Sequence, residues 1–118
     1  MKLGDMQEAF SRSLCRLLAY AEQQGYGIRL RELERTKYQA IEYVRLKKGI
    51  LRSNHCNCLA IDLYITVAGE LLWAGSEYDD LADFWENLSE PGLEHVNGRA
   101  FPGRRDVYHF SIKYQGVS

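Results

Sequence analysis

Apolar positions along this chain switch between two periods. Met6, Phe10, Leu14, Leu17, Leu18 and Ala21 recur three or four residues apart, one face of a helix, and Gly25 is placed to end it. From Gly27 to Leu33 the period shortens: Ile28 and Leu30 alternate with Arg29 and Arg31, which predicts a half-buried strand. A second helix is predicted from near Thr36, an acceptable N-cap, to about Lys48, before Gly49. Leu59 to Thr66 is the clearest strand. Leu59, Ile61, Leu63 and Ile65 point one way, and Ala60, Asp62, Tyr64 and Thr66 the other.

Ala68-Gly69 reads as a hairpin turn into a short strand, Glu70 to Trp73. A third helix is predicted over Asp79 to Leu88, with Leu81, Phe84, Trp85 and Leu88 on one face. A loop with glycine and proline follows, Glu90 to Arg105. The last strand runs from Val107 to Lys113, with Tyr108, Phe110 and Ile112 alternating against Val107, His109 and Ser111. Helices and strands mix without a repeating βαβ order, so the expected class is α+β: one small domain, antiparallel sheet, flanking helices.

Composition narrows this picture. The 118 residues make one domain over 1–118, with a motif-bearing core at about 27–113, and show no internal repeat or low-complexity tract. A net charge of −1 gives no global handle on nucleic acid or an anionic membrane. Asp5, Glu8, Arg12 and Arg16 interrupt the apolar residues of the N-terminal stretch, so it has neither a signal-peptide pattern nor a membrane span. The expectation is a protein made in a cytoplasm. Three cysteines, an odd number, fit a reducing compartment and define no disulfide framework.

The candidate chemistry starts at Asp62, in the middle of the apolar run LAIDLYI. A carboxylate there needs a hydrogen-bonded partner, a cation or a metal. Asp62 faces away from the apolar side of its strand, and His109 stands in the same relation to Tyr108, Phe110 and Ile112. If the two strands are neighbours, both residues converge on one cleft. His55, seven residues before Asp62, has the opposite parity, so bringing it to that cleft requires a bend across Cys56-Asn57-Cys58. Asp106 precedes His109 by three residues, at the mouth of the same strand. Two imidazoles and a carboxylate can hold Zn²⁺ in three tetrahedral positions and leave the fourth to water, which the metal acidifies. A further carboxylate can carry that water's proton to a leaving amine. Taken singly, His109 reads as a hydrogen-bonded structural histidine and Asp62 as a buried partner for an arginine.

The spacing lifts these residues above those readings. Ser53-Asn54-His55-Cys56-Asn57-Cys58-Leu59-Ala60-Ile61-Asp62-Leu63 resembles S-x-H-x-x-G-x-A-x-D-L, a signature of the zinc D-alanyl-D-alanine carboxypeptidase and L-alanyl-D-glutamate endopeptidase family. Asp106-Val107-Tyr108-His109-Phe110 is similar to that family's D-x-x-H-F. Arg35-Thr36-Lys37-Tyr38-Gln39, with Tyr43 and Gly49, resembles its R-[ST]-x-x-Q…Y…G stretch. The resemblance implies His55, Asp62 and His109 as ligands of one Zn²⁺, with Asp106 as general base and acid. It further implies Arg35 as an oxyanion- or substrate-binding cation, and Ser53 and Gln39 as substrate-contacting or supporting residues. It implies a small α+β fold with an antiparallel sheet that carries the zinc site, and the local style is that of short phage and prophage members. Three positions depart from the family pattern. Cys58 stands for the usual glycine, Tyr108 for a frequent proline, and a W-G-G-like element is reduced to Val96-Asn97-Gly98.

Two competing site readings carry less. Cys56-x-Cys58 beside His55 has thiolates for a structural zinc, but Cys15, the third cysteine, reads as core on its helix. The basic run Arg45 to Arg52 reads as a solvated helix end. The function that the resemblance implies is hydrolysis of peptidoglycan stem peptides, at L-Ala–D-Glu or at a D-Ala linkage, by a monomeric phage or prophage endolysin. Such an enzyme accumulates in the host cytoplasm and acts at the cell wall after release through a holin-like pore, without inserting in the membrane. The alternative is a catalytically silent wall-binding or virion-structural domain that keeps the fold.

Overall fold

The computed structural model describes residues 1–31, 39, 41, 42, 45 and 54–118. Among these, two α-helices pack on a five-stranded antiparallel sheet, an α+β domain as the periodicities predict. Helix α1 spans Leu3–Gln23 and buries Met6, Ala9, Phe10, Ser13, Leu17 and Ala21. It stops at the predicted place, where Gly25 takes φ +81°, a left-handed conformation that glycine adopts without a Cβ penalty. Strand β1 is Gly27–Leu30, β2 is Ala60–Val67 and β3 is Glu70–Leu72. Ala68 and Gly69 join the last two with φ of 51° and 80°, a tight turn whose twist suits a two-residue hairpin. Helix α2 covers Ser76–Glu86, β4 His95–Gly98 and β5 Asp106–Ile112. The predicted second helix lies almost wholly outside the described residues; Gln39, Ile41, Glu42 and Arg45 are helical.

The sheet order is β1-β2-β5-β4, with β3 also paired to β2. On one edge of β2, β5 takes Ala60 to Asp62 and β3 takes Ile65 to Val67. Leu63 and Tyr64 have no ladder partner there, and aromatic side chains fill the gap. The Tyr78 hydroxyl accepts from the Ile65 N–H at 3.0 Å and donates to the Leu72 carbonyl at 2.6 Å. The Tyr108 hydroxyl donates to the Trp73 carbonyl.

Both helices cover one face of the sheet. Leu59, Ile61, Leu63, Ile65, Phe110 and Ile112 point into a core with Phe10, Leu17, Tyr78, Leu81 and Trp85. Trp85 is fully buried, with Phe10, Phe110 and His95 edge-on around it, and its indole N–H donates to the Ser111 carbonyl at 3.0 Å. Burying side chains of this size contributes roughly 1.5–3 kcal/mol each. The opposite face of β2 and β5 carries Asp62, Tyr64 and His109.

Three sequence expectations are corrected. The segment from Glu90 to Arg105 is not all loop, since it contains β4, whose Val-Asn-Gly run is too short and polar to show a period. Leu30 is exposed although its cross-strand partner Leu63 is buried. Cys15 is exposed as well. It sits two positions from both Ser13 and Leu17, about 200° around the helix and so away from their buried stripe.

Candidate metal centre

Asp62 and His109 are direct cross-strand partners in the β2–β5 ladder, so their side chains leave the same face of the sheet side by side. His55 arrives from a 3₁₀ turn, Asn54–Asn57. That turn is anchored by Asn54, which is wholly buried and donates to the Ile112 carbonyl at 2.9 Å and the Val117 carbonyl at 2.7 Å. Leu59 N–H closes the turn onto the Asn54 carbonyl at 2.9 Å. The bend that opposite parity demanded is supplied at Cys58, whose φ is +54°. A non-glycine residue there costs about 1–2 kcal/mol.

The result is one cluster. His55 Nε2 lies 3.5 Å and His109 Nδ1 lies 3.6 Å from the same atom, Asp62 Oδ1. The two rings stand 5.3 Å apart at 73°. One ligand atom from each residue falls within 4.8 Å of the others, so this group can hold a metal ion. The two contacts exceed an N–H···O hydrogen bond of about 2.7–3.2 Å. They match the edge of a coordination tetrahedron: metal–ligand bonds of about 2.0–2.2 Å put neighbouring ligand atoms roughly 3.3–3.6 Å apart. Asp62 Oδ1 is buried with no hydrogen-bond partner among the described residues, as expected of an atom placed for a cation. The donor set of two imidazoles and a carboxylate fits zinc. The histidine side chains are 3% and 8% exposed but that of Asp62 is 27% exposed, so the cluster is open to solvent on one side.

Burial pushes the Asp62 carboxyl up, but the two imidazoles facing it outweigh burial and hold it well below the usual carboxylate range. Asp106 behaves oppositely. Burial and the Asp62 charge raise its pKa, against smaller opposing effects of His109, the Tyr108 N–H and His55. The two carboxyls are thus shifted in opposite directions by their surroundings.

Asp106 opens β5, where the ladder to β4 shifts register. The β4–β5 register runs through Asn97↔Phe110 and then jumps to Gly98↔Asp106. The extra residues take Asp106 out of strict alternation with His109. Buried Asn97 bridges the irregularity, donating to the carbonyls of Val107 and His109 at 3.0 Å each and accepting from Arg99 N–H at 2.9 Å. At Gly98 a Cβ would stand 2.3 Å from the Asp106 carbonyl oxygen, so only glycine allows this approach. Arg99 then ties the strand end to α2 through Asp79, Asp83 and Glu86.

Of the other predicted site residues, Gln39 is exposed in a helical segment, and Arg35 and Ser53 lie outside the described residues. The cysteines form no metal-binding group among the described residues. Sequence reasoning missed Asn54 and Asn97, both positioning residues. Their signal is an asparagine beside a metal-type residue or a glycine, too common to single out.

No protein-family model matches the sequence, and no curated protein matches it. Among solved structures, the L-Ala D-Glu endopeptidase ChiX of Serratia marcescens is similar, with a TM-score of 0.69 at 23% identity over 86% of this chain and 79% of that one. The two proteins share a fold.

Proposed function

We propose that this protein is a zinc-dependent peptidase that hydrolyses amide bonds of peptidoglycan stem peptides, at L-Ala–D-Glu or a D-Ala–D-Ala-type bond. The observation that carries the reading is the shared Asp62 Oδ1, with an imidazole nitrogen at tetrahedral-edge distance on either side. The substrate class is supported by the fold shared with ChiX, an L-Ala D-Glu endopeptidase, and by the peptidase signatures at Ser53–Leu63 and Asp106–Phe110.

His55, Asp62 and His109 would hold the zinc. When bound, the metal supplies Lewis acidity to the attacking water and the scissile carbonyl. Asp106, with its raised pKa, takes the water's proton and returns it to the departing amine. Its backbone anchor, the Tyr108 N–H donating to Oδ1 at 3.1 Å, leaves the other carboxyl oxygen for that work. Arg35 is the cation assigned to substrate or oxyanion, with Ser53 and Gln39 as substrate-contacting or supporting residues. We assign the protein to the lysis machinery of a phage or prophage, as a monomer made in the host cytoplasm and acting on the wall after release. The test is mass spectrometry of the muropeptides released from purified sacculi, with and without chelator, alongside metal analysis of the protein. New amino termini on D-Glu or free D-Ala, lost on chelation, support the proposal; an unchanged digest in chelator overturns the metal mechanism.

A further inference from the structure

Beside the metal cluster lies an aromatic group that the proposed hydrolysis does not use. Tyr64 follows Asp62 by two residues on β2, so it leaves the same sheet face about 7 Å along the strand. Its ring is edge-on to Trp73, 5.6 Å away at 62°, and to Tyr108, 4.9 Å away at 82°. The Arg31 guanidinium lies 5.2 Å over the Tyr64 ring, and Arg31 N–H donates to the Asp62 carbonyl at 2.7 Å. Trp73 remains 64% exposed.

A single exposed apolar side chain is ordinary on a protein surface. Trp73 differs in being held: its ring is buttressed by Tyr64, and its carbonyl is clamped by the Tyr108 hydroxyl, from the residue next to His109. A solvent-facing indole braced by a neighbouring ring, on the face that carries the metal cluster, can stack on a flat ligand at reduced ordering cost. Arg31 already covers the Tyr64 ring, which leaves the indole as the open face.

Resting on the peptidase reading above, we infer that Trp73, backed by Tyr64 and Tyr108, is a saccharide-stacking subsite that binds the glycan strand next to the stem peptide being cut. The chemistry fits the substrate class. The L-Ala amine of a stem peptide is acylated by the lactyl group of N-acetylmuramic acid, so a sugar ring lies within a few bonds of the first peptide bond. The apolar C–H face of a pyranose matches an indole, and an uncharged platform suits it better than an ionic one.

Two measurements test the subsite. In the first, Asp106→Asn protein is titrated with a peptide-free N-acetylglucosamine–N-acetylmuramic acid tetrasaccharide while tryptophan fluorescence is followed. Trp85 is 0% exposed, so Trp73 is the responding indole. A saturable shift that is absent in the Asp106→Asn/Trp73→Phe protein supports the subsite. No shift overturns it, as does an equal shift produced by the glycan-free stem peptide, which would place peptide there instead. The second compares kcat/KM on a disaccharide-bearing stem peptide and on the same peptide without sugar. Trp73→Ala should lower the ratio of the two by roughly three- to tenfold, with Trp73→Phe recovering part of it; an unaltered ratio overturns the subsite. If neither peptide is cut by the wild-type protein, the peptidase reading fails, and the titration still decides the saccharide subsite by itself.

Discussion

Asp62 and His109 face each other across adjacent strands, and one carboxylate oxygen of Asp62 lies 3.6 Å from Nδ1 of His109. The separation is too long for a hydrogen bond and right for two ligands of one ion. The ladder itself sets it, because a direct cross-strand pair holds side chains side by side on one face. His55 is added from a separate turn, at a matching 3.5 Å.

Zinc should therefore stabilise the fold. Ligand that binds only the native state adds about 4 kcal/mol at a thousandfold excess over its Kd. Thermal unfolding with zinc and with chelator should differ by many degrees, and His109→Ala should abolish the difference along with stoichiometric zinc by elemental analysis. Equal melting curves in zinc and chelator would remove the metal site.

Asp106→Asn should keep the zinc and lose turnover by roughly 10²–10⁴-fold, the usual contribution of a positioned acid–base group. Loss of zinc from this variant would instead make Asp106 a structural support of the cluster.

Cys58 occupies a left-handed backbone position at φ +54°. Cys58→Gly should raise stability by about 1 kcal/mol, the relieved strain being partly offset by the added freedom of the unfolded chain. Calorimetry should show a melting temperature roughly 4 °C higher. A lower one would mean that side-chain contacts of Cys58 outweigh the strain.

Asn97→Ala should cost on the order of 3 kcal/mol, since it strips hydrogen bonds from the Val107 and His109 carbonyls in a buried setting. Asn97→Asp should be no better, because a carboxylate cannot donate to two carbonyls. Urea unfolding measures both, and wild-type midpoints would show that the bulge holds without Asn97.

His95 sets a pH dependence. It is buried, with Nε2 2.8 Å from Ser13 Oγ, and burial holds its pKa below the ordinary 6.5, with Arg16 a smaller push the same way and the Leu93 carbonyl and Glu90 opposing. Above pH 6.5 both folded and unfolded states carry it neutral, and its contribution is fully present. Below that value the unfolded chain takes up the proton first, so stability falls as pH drops toward the folded-state pKa. Unfolding free energies at pH 7.5 and 5 should differ less in His95→Gln than in the wild type; equal differences would exclude His95 as a source.

Much of this site was legible along the chain. The alternation around Asp62 and His109 put both on the non-core faces of their strands, because a strand's period is local and records which side is buried. The two signatures named His55 and Asp106, and Cys58, which stands where the signature has glycine, does take a left-handed backbone. Other features belong to the tertiary structure. Whether β2 and β5 are neighbours, and in which register, depends on partners nearly fifty residues apart, which no local period encodes. The register shift beside Asp106 appears where β5 pairs with β4, with Asn97 and Gly98 at the shift. Cys15 shows the limit from the other direction: a helix carries more apolar residues than its buried stripe can use, and only the packing of α1 on the sheet decides which are covered. The residue types for a metal centre were written in the chain, and long-range strand pairing brought them within the reach of one ion.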